Sequence, residues 1–256
     1  MNQMDITKKG PADWTPKNIA DFWNWQSQNK YGRDNYFTAV MSAGIVRYLK
    51  NKGLLKGKLL DYGCGSGHLL ELLGKENKAE CYGLEFSADS AIETERRTKA
   101  FPNVKGVILS DSLPSSFEDN MFDTIVLIET IEHLSEDILH QTFRELYRIL
   151  KQGGSIFITT PFNEELEKHL IFCPFCKTEF HHMQHLQSFS KERLVKLVIE
   201  HGFSVGFCSN IDIEKLKLGR IKYFLKRTMV TMAEIAGIKE ARTDKNPNLV
   251  ALASKV

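Results

Sequence analysis

The stretch LLDYGCGSGHLL, residues 59–70, runs an apolar segment into three alternating glycines, Gly63, Gly65 and Gly67, and then back into apolar residues. A short apolar run (KLLDY, 58–62), a glycine cluster and a segment of helical period read as strand, tight turn and helix. Glycines at such a turn let the backbone bend sharply and approach a ligand closely, at the positive end of the helix. Two acids frame the loop. Asp61 precedes it, and Glu85 ends the next apolar run, ECYGLEF (80–86), twenty positions beyond Gly65.

Outward from this stretch the same rhythm repeats. Further strands are expected at VKGVILS (104–110), FDTIVLIE (122–129), SIFITTP (155–161), FSVGFCS (203–209) and NLVALASKV (248–256). Helices are expected over about 67–75, 89–100 and 136–150, the last with Leu139, Phe143, Leu146 and Leu150 on one face and Gly153-Gly154 as its stop. Ser190 caps a further helix that ends before Gly202. Strands spaced by helices imply an α/β fold: a doubly wound, mostly parallel sheet of seven strands. Residues 1–56 read as a helical N-terminal cap opening at Thr15-Pro16, and 57–256 as the main domain. That domain carries two inserts, a Cys/His-containing one at 162–189 and a helical one at 211–237.

Composition narrows the class. The chain has 256 residues, 42% hydrophobic and 26% charged, with a net charge of +2. That near balance excludes nucleic-acid binding by bulk charge. No run approaches a membrane span, and the N-terminus has no apolar core of a secretory signal. Of five cysteines only Cys173 and Cys176 form a motif; Cys64, Cys81 and Cys208 read as small buried residues. A reducing cytoplasm is the expected compartment.

The loop also discriminates between ligands. A dinucleotide site uses GxGxxG to seat a pyrophosphate, whereas this chain has D-x-G-x-G-x-G. A carboxylate beside the loop repels pyrophosphate and favours a cationic ligand. Over roughly residues 57–210 the sequence resembles the class I S-adenosylmethionine-dependent methyltransferases, with their Rossmann-like fold. The resemblance implies that Gly63 and Gly65 contact the methionine part and Asp61 its amino group. It implies further that Glu85 holds the ribose hydroxyls, that Phe86 lies beside the adenine, and that Asp111 of the SDSL stretch, with Ser112 next to it, receives the adenine amino group.

The fourth strand ends in LIETIEHLSED, where Glu129, Glu132 and His133 stand at i, i+3 and i+4. One helical turn would put all three on one side, as a divalent cation such as Mg²⁺ or Mn²⁺ requires. The strand's carboxyl end is also where open α/β sheets bind ligands. With His185 of FHHMQHLQSFS added, the set resembles two metal-dependent branches of the class. These are the ubiquinone-biosynthesis O-methyltransferases and the small-RNA 3′-end ribose 2′-O-methyltransferases. Both act on adjacent hydroxyls that a cation can chelate, so the expected catalytic residues are Glu129, Glu132 and His133, with His185 as fourth ligand. Without a metal, His133 becomes the general base.

CPFCKTEFHH supplies a second expected metal set, a structural zinc on Cys173, Cys176, His181 and His182. Aromatic residues of the cap, among them Trp14, Phe22, Trp23, Trp25, Tyr31, Tyr36 and Phe37, pack helices onto the sheet or border the substrate. Basic residues within 213–227, interleaved with apolar ones, suit a membrane surface, a phosphate-bearing substrate or a solvated helix face. The expected activity is O-methylation of a vicinal diol on a small molecule or saccharide. The alternatives are a terminal-ribose RNA methyltransferase and a zinc-bearing scaffold without catalysis.

Overall fold

The computed structural model describes residues 14–29, 37–110, 112–213, 228 and 248–256. Two helices, α1 (Pro16–Gln28) and α2 (Phe37–Asn51), precede the sheet. Thr15 caps α1 by accepting the N–H of Asn18, with Pro16 in the first turn, as expected. There follow β1 (Lys58–Tyr62), α3 (His68–Glu76), β2 (Glu80–Glu85), α4 (Ala88–Thr98), β3 (Val104–Leu109), β4 (Phe122–Ile128) and α5 (Glu136–Ile149). The chain continues through β5 (Leu150–Pro161), the hairpin strands β6 (Leu170–Phe172) and β7 (Glu179–His181), α6 (Lys191–Glu200), β8 (Phe203–Ile211) and β9 (Asn248–Lys255). The expected helical insert at 211–237 and the basic stretch 213–227 lie almost wholly outside the described residues, as do Tyr31, Tyr36 and Asp111.

Seven strands form one sheet in the order β3-β2-β1-β4-β5-β9-β8. Only β9 runs against its neighbours. The strand order reverses between β1 and β4, and open α/β sheets bind ligands at the carboxyl ends of the strands flanking such a reversal.

Alternation along the strands divides the core between the two faces. Leu60, Ile125, Leu127, Ile156 and Ile158 pack with Leu139, Phe143 and Leu146 of α5 and Leu194 and Val198 of α6. Leu59, Val126, Ile128 and Phe157 pack on the other face with Ile45 and Leu49 of α2 and Leu69, Leu70 and Leu73 of α3. Each fully buried Phe or Leu contributes about 1.5–3 kcal/mol. Cys64, Cys81 and Cys208 are buried and free, as expected. No helix among the described residues is long and apolar enough to cross a membrane.

One boundary differs from expectation. Gly153-Gly154 does not stop α5; the helix ends at Ile149, and the N–H of Leu150 caps it onto the Leu146 carbonyl. The glycines belong to β5, where the register with β4 jumps from Phe122↔Leu150 to Thr124↔Ser155. Gly153 has φ +71, so this bulge is what requires glycine there.

Candidate active site

The candidate site has two halves, both built from loops at the carboxyl ends of strands. The first is the glycine loop between β1 and α3. Gly63, Gly65 and Gly67 all have positive φ, at +75, +53 and +77. At Gly67 a Cβ would stand 2.6 Å from Thr94 Cγ2, so this glycine serves the packing of α3 on α4. At Gly65 a Cβ would meet nothing within 4 Å, so open space faces the backbone there.

Glu85 is buried beneath this loop and accepts three backbone N–H groups, from Gly65 at 2.7 Å and from Phe86 and Ser87 at 2.9 Å each. Burial pushes its pKa up while those bonds pull it down. Phe86 is half-buried and Ser112 exposed. Asp61 is 2% exposed, and its Oδ2 has no hydrogen-bond partner. Burial, then the nearby Glu85, raises Asp61 to about 8. A buried acid with an orphaned oxygen beside an open glycine backbone fits a ligand that brings a cationic amino group.

The second half gathers Glu132, His133 and His185, whose ligand atoms all lie within 4.8 Å of one another. Backbone bonds hold the distant segments together. The Glu132 carbonyl accepts the N–H groups of Leu186 (2.7 Å) and Gln187 (3.0 Å), and the His133 carbonyl accepts Gln184 Nε2 (3.1 Å). Glu132 is 1% exposed; its Oε2 accepts from Thr160 Oγ1 at 2.9 Å, while Oε1 has no partner. His133 Nε2 stands 3.9 Å from that orphaned oxygen. The His133 ring meets His185 edge to face at 4.8 Å and Trp23 of α1 at 4.9 Å.

Burial drives Glu132 and His133 towards their neutral forms. Burial and the Glu129 charge raise Glu132 well above its ordinary value. Burial and the neighbouring His185 depress His133 to about 3. Neutral imidazoles are competent ligands, and a divalent cation would restore charge to the carboxylate.

Glu129 stands apart from this group. The expected single helical turn does not form: Glu129 precedes the short 3₁₀ turn Ile131–His133 and has φ +48. Its Oε1 accepts from Asn248 Nδ2 at 3.0 Å. Burial raises it to about 7, and it acts on Glu132 only through charge.

The expected zinc set is likewise not assembled. Cys173 and Cys176 sit in the turn of the β6–β7 hairpin, and no group of three close donors among the described residues includes either. His181 and His182 lie at the hairpin's base with His169. His181 is buried and stacked on His185 at 4.4 Å; His182 is exposed and bonds the His169 carbonyl. Strand geometry separates tip from base by three residues, roughly 10 Å.

Glu164 and Asn24 escaped the sequence reading. Glu164, just beyond β5, bonds His185 Nδ1 at 2.5 Å, but nothing in NEELE distinguishes it from its acidic neighbours. Helix α1 links the two halves of the site. Trp23 Nε1 donates to Gln184 Oε1 at 2.9 Å, and Asn24 Oδ1 accepts from Ser87 beside Glu85 at 2.6 Å.

Comparison with known proteins identifies the family and the fold. A model of a methyltransferase-domain family matches residues 31–206. The mitochondrial ubiquinone biosynthesis O-methyltransferase of Rattus norvegicus is 35% identical over 155 residues, covering 56% of this chain and 44% of that protein. The chloroplastic tocopherol O-methyltransferase of Arabidopsis thaliana is 30% identical over 105 residues, covering 40% of this chain and 30% of that protein. The matches thus span less than half the length of these relatives. Among solved structures, the cyclase SpnF superposes with a TM-score of 0.66 at 17% identity, covering 96% of this chain and 99% of SpnF. Geranyl diphosphate methyltransferase in complex with SAM gives 0.58 at 18%, covering 83% and 85%. Likeness at such identities shows the fold alone, and a cyclase on the same fold makes the point. With the family model covering most of its length, the chain belongs to the methyltransferase-domain family, in the class I S-adenosylmethionine-dependent group.

Proposed function

We propose that this chain methylates a hydroxyl of a small molecule or saccharide carrying two adjacent hydroxyls, with a divalent cation held by Glu132, His133 and His185. The observation that supports it most directly is Glu132 Oε1, buried without a partner and facing histidine nitrogens. Orphaned buried carboxylate oxygens are costly, and a cation removes that cost.

S-Adenosylmethionine supplies an electrophilic methyl group on a sulfonium. Asp61 and the open backbone at Gly65 would hold its amino-acid end, and Glu85 its ribose. A cation on the Glu/His group would supply the positive charge that lowers a hydroxyl's pKa. One carboxylate and two imidazoles suit a transition ion such as Mn²⁺ better than Mg²⁺, which prefers oxygen ligands. Trp23 borders this group and excludes water from one side of it. The ubiquinone and tocopherol O-methyltransferase relatives support an oxygen acceptor.

Transfer of tritiated methyl from S-adenosylmethionine to catechols, glycans and short RNAs, with Mn²⁺, Mg²⁺ or EDTA, tests this reading. Turnover on a vicinal diol that needs Mn²⁺ and falls at least 100-fold in Glu132→Ala is the expected outcome. Full turnover after exhaustive chelation would contradict it and leave His133 Nε2 as the base. Preference for an RNA 3′ end would move the acceptor to a terminal ribose.

A further inference from the structure

Three close groupings of metal-ligating side chains occur among the described residues: Glu132/His133/His185, Glu164/His181/His185 and His169/His181/His182. Hydrogen bonds to the histidine rings decide between them, because a ring nitrogen that carries a proton has no lone pair for a cation.

His181 is settled by its backbone neighbours. Its Nδ1 accepts the N–H of Met183 and the N–H of His185, each at 3.2 Å. Backbone amides only donate, so Nδ1 holds the lone pair and a neutral His181 carries its proton on Nε2. That nitrogen lies 3.3 Å from Glu164 Oε1 but makes no hydrogen bond to it. His181 therefore offers nothing to a cation, and both groupings that contain it drop out as three-ligand sites.

His185 is set the opposite way. His185 Nδ1 lies 2.5 Å from Glu164 Oε2, and the carboxylate accepts. His133 Nδ1 lies 3.4 Å from the Gln184 carbonyl, which also only accepts. His185 thus spends its Nδ1 proton on Glu164 and keeps a bare Nε2, while the His133 ring is bonded by the Gln184 carbonyl and also by that of Glu129.

We infer that Glu164 is a positioning residue of this site: it fixes the tautomer and the orientation of His185, with His181 stacked behind as a rigid backing. The inference rests on the metal-assisted reading for its purpose, but its structural content stands on the two rings and the carboxylate between them. The fold holds Glu164 for the task. A bridge between Phe162 and Phe189, with the Asn163 N–H on the Phe189 carbonyl at 2.9 Å, closes the neck of the 162–189 insert. Glu164 is the first residue inside that neck on one side, and His185 lies four residues before Phe189 on the other. Their contact crosses the neck, and the ring of His181 lies nearly parallel to that of His185, 14° between planes. Outer carboxylates that orient metal-bound histidines typically matter 10–100-fold for affinity.

Two readouts test this on the full chain. Long-range ¹H–¹⁵N correlation of the ¹⁵N-labelled, metal-free protein at pH 7.5 reads which nitrogen of each ring is protonated. Wild type should show His185 protonated at Nδ1 and bare at Nε2, and His181 the reverse. Glu164→Leu should release His185 to a mixture of tautomers. Glu164→Gln should retain the tautomer, because its amide oxygen still accepts from Nδ1. Mn²⁺ affinity, read by electron paramagnetic resonance, should fall roughly 10–100-fold in Glu164→Leu and recover most of that loss in Glu164→Gln. A wild-type His185 protonated at Nε2 would overturn the inference, as would an unchanged tautomer in Glu164→Leu. Correct tautomers in a wild-type chain that binds no Mn²⁺ would uphold the hold of Glu164 on His185 and sink the metal reading instead.

Discussion

In the proposed reading, Asp61 is a pH-sensitive clamp on the cofactor's amino group. Its pKa near 8 in the ligand-free chain comes from burial first and the Glu85 charge second. A cationic amino group favours the ionised form, so below pH 8 the cofactor must displace a proton as it binds. Affinity for S-adenosylmethionine should therefore weaken as pH falls from 8 to 6, by up to roughly tenfold per unit. Titration calorimetry at both pH values checks this, and the slope should vanish in Asp61→Asn. A flat profile in wild type would contradict the account. The glycines divide by what a side chain would meet. Gly67→Ala combines φ +77 with a clash on Thr94 and should lower stability by several kcal/mol. Gly65→Ala meets open space, so about 1–2 kcal/mol of backbone strain should accompany a much larger loss of cofactor binding. Thermal melts with and without cofactor separate the two variants. The meeting of Asp61 and Glu85 beside the glycine loop was legible in the sequence because spacing along adjacent strands is a local property. The partners of His185 were not, since a tautomer depends on what a chain segment 21 residues away presents.

At the scale of elements, strand and helix positions followed the apolar periodicity closely, from KLLDY in β1 to Ser190 as the cap of α6. Failures occurred where one residue type serves two purposes. Glycines in a β-bulge look like a helix stop, and ExxEH on a 3₁₀ turn looks like a helical face until φ +48 at Glu129 breaks the turn. A role that no periodicity signals belongs to Lys255 on β9. It is 8% exposed, and its ammonium donates to the Tyr147 carbonyl at 2.7 Å, the Leu150 carbonyl at 2.9 Å and Asn120 Oδ1 at 2.9 Å. It thereby ties the end of α5 and the start of β5 to the antiparallel strand. Lys255→Met should cost about 1–3 kcal/mol, because it strands two carbonyls that the cation now satisfies. Denaturant unfolding followed by circular dichroism reads this, with methyl transfer at low denaturant unchanged.

Across the whole molecule, the sheet sets two chemistries side by side. Loops after β1 and β2 bring Asp61, Glu85 and the open Gly65 backbone together, those after β4 and β5 gather Glu132, His133 and His185, and α1 spans both through Asn24 and Trp23. The seven-stranded order was legible as a mostly parallel sheet because βαβ units leave a repeating signature. The break-up of the proposed zinc set was not legible, since C-x2-C-x4-H is a spacing and a hairpin decides its reach. Titration of the metal-free chain with Mn²⁺, counted by electron paramagnetic resonance, tests the central claim most directly. The account predicts one ion per chain, with affinity reduced at least 100-fold in Glu132→Gln and in His185→Ala but little changed in Cys173→Ser. No specific uptake, or uptake that survives Glu132→Gln and disappears with Cys173→Ser, would contradict it.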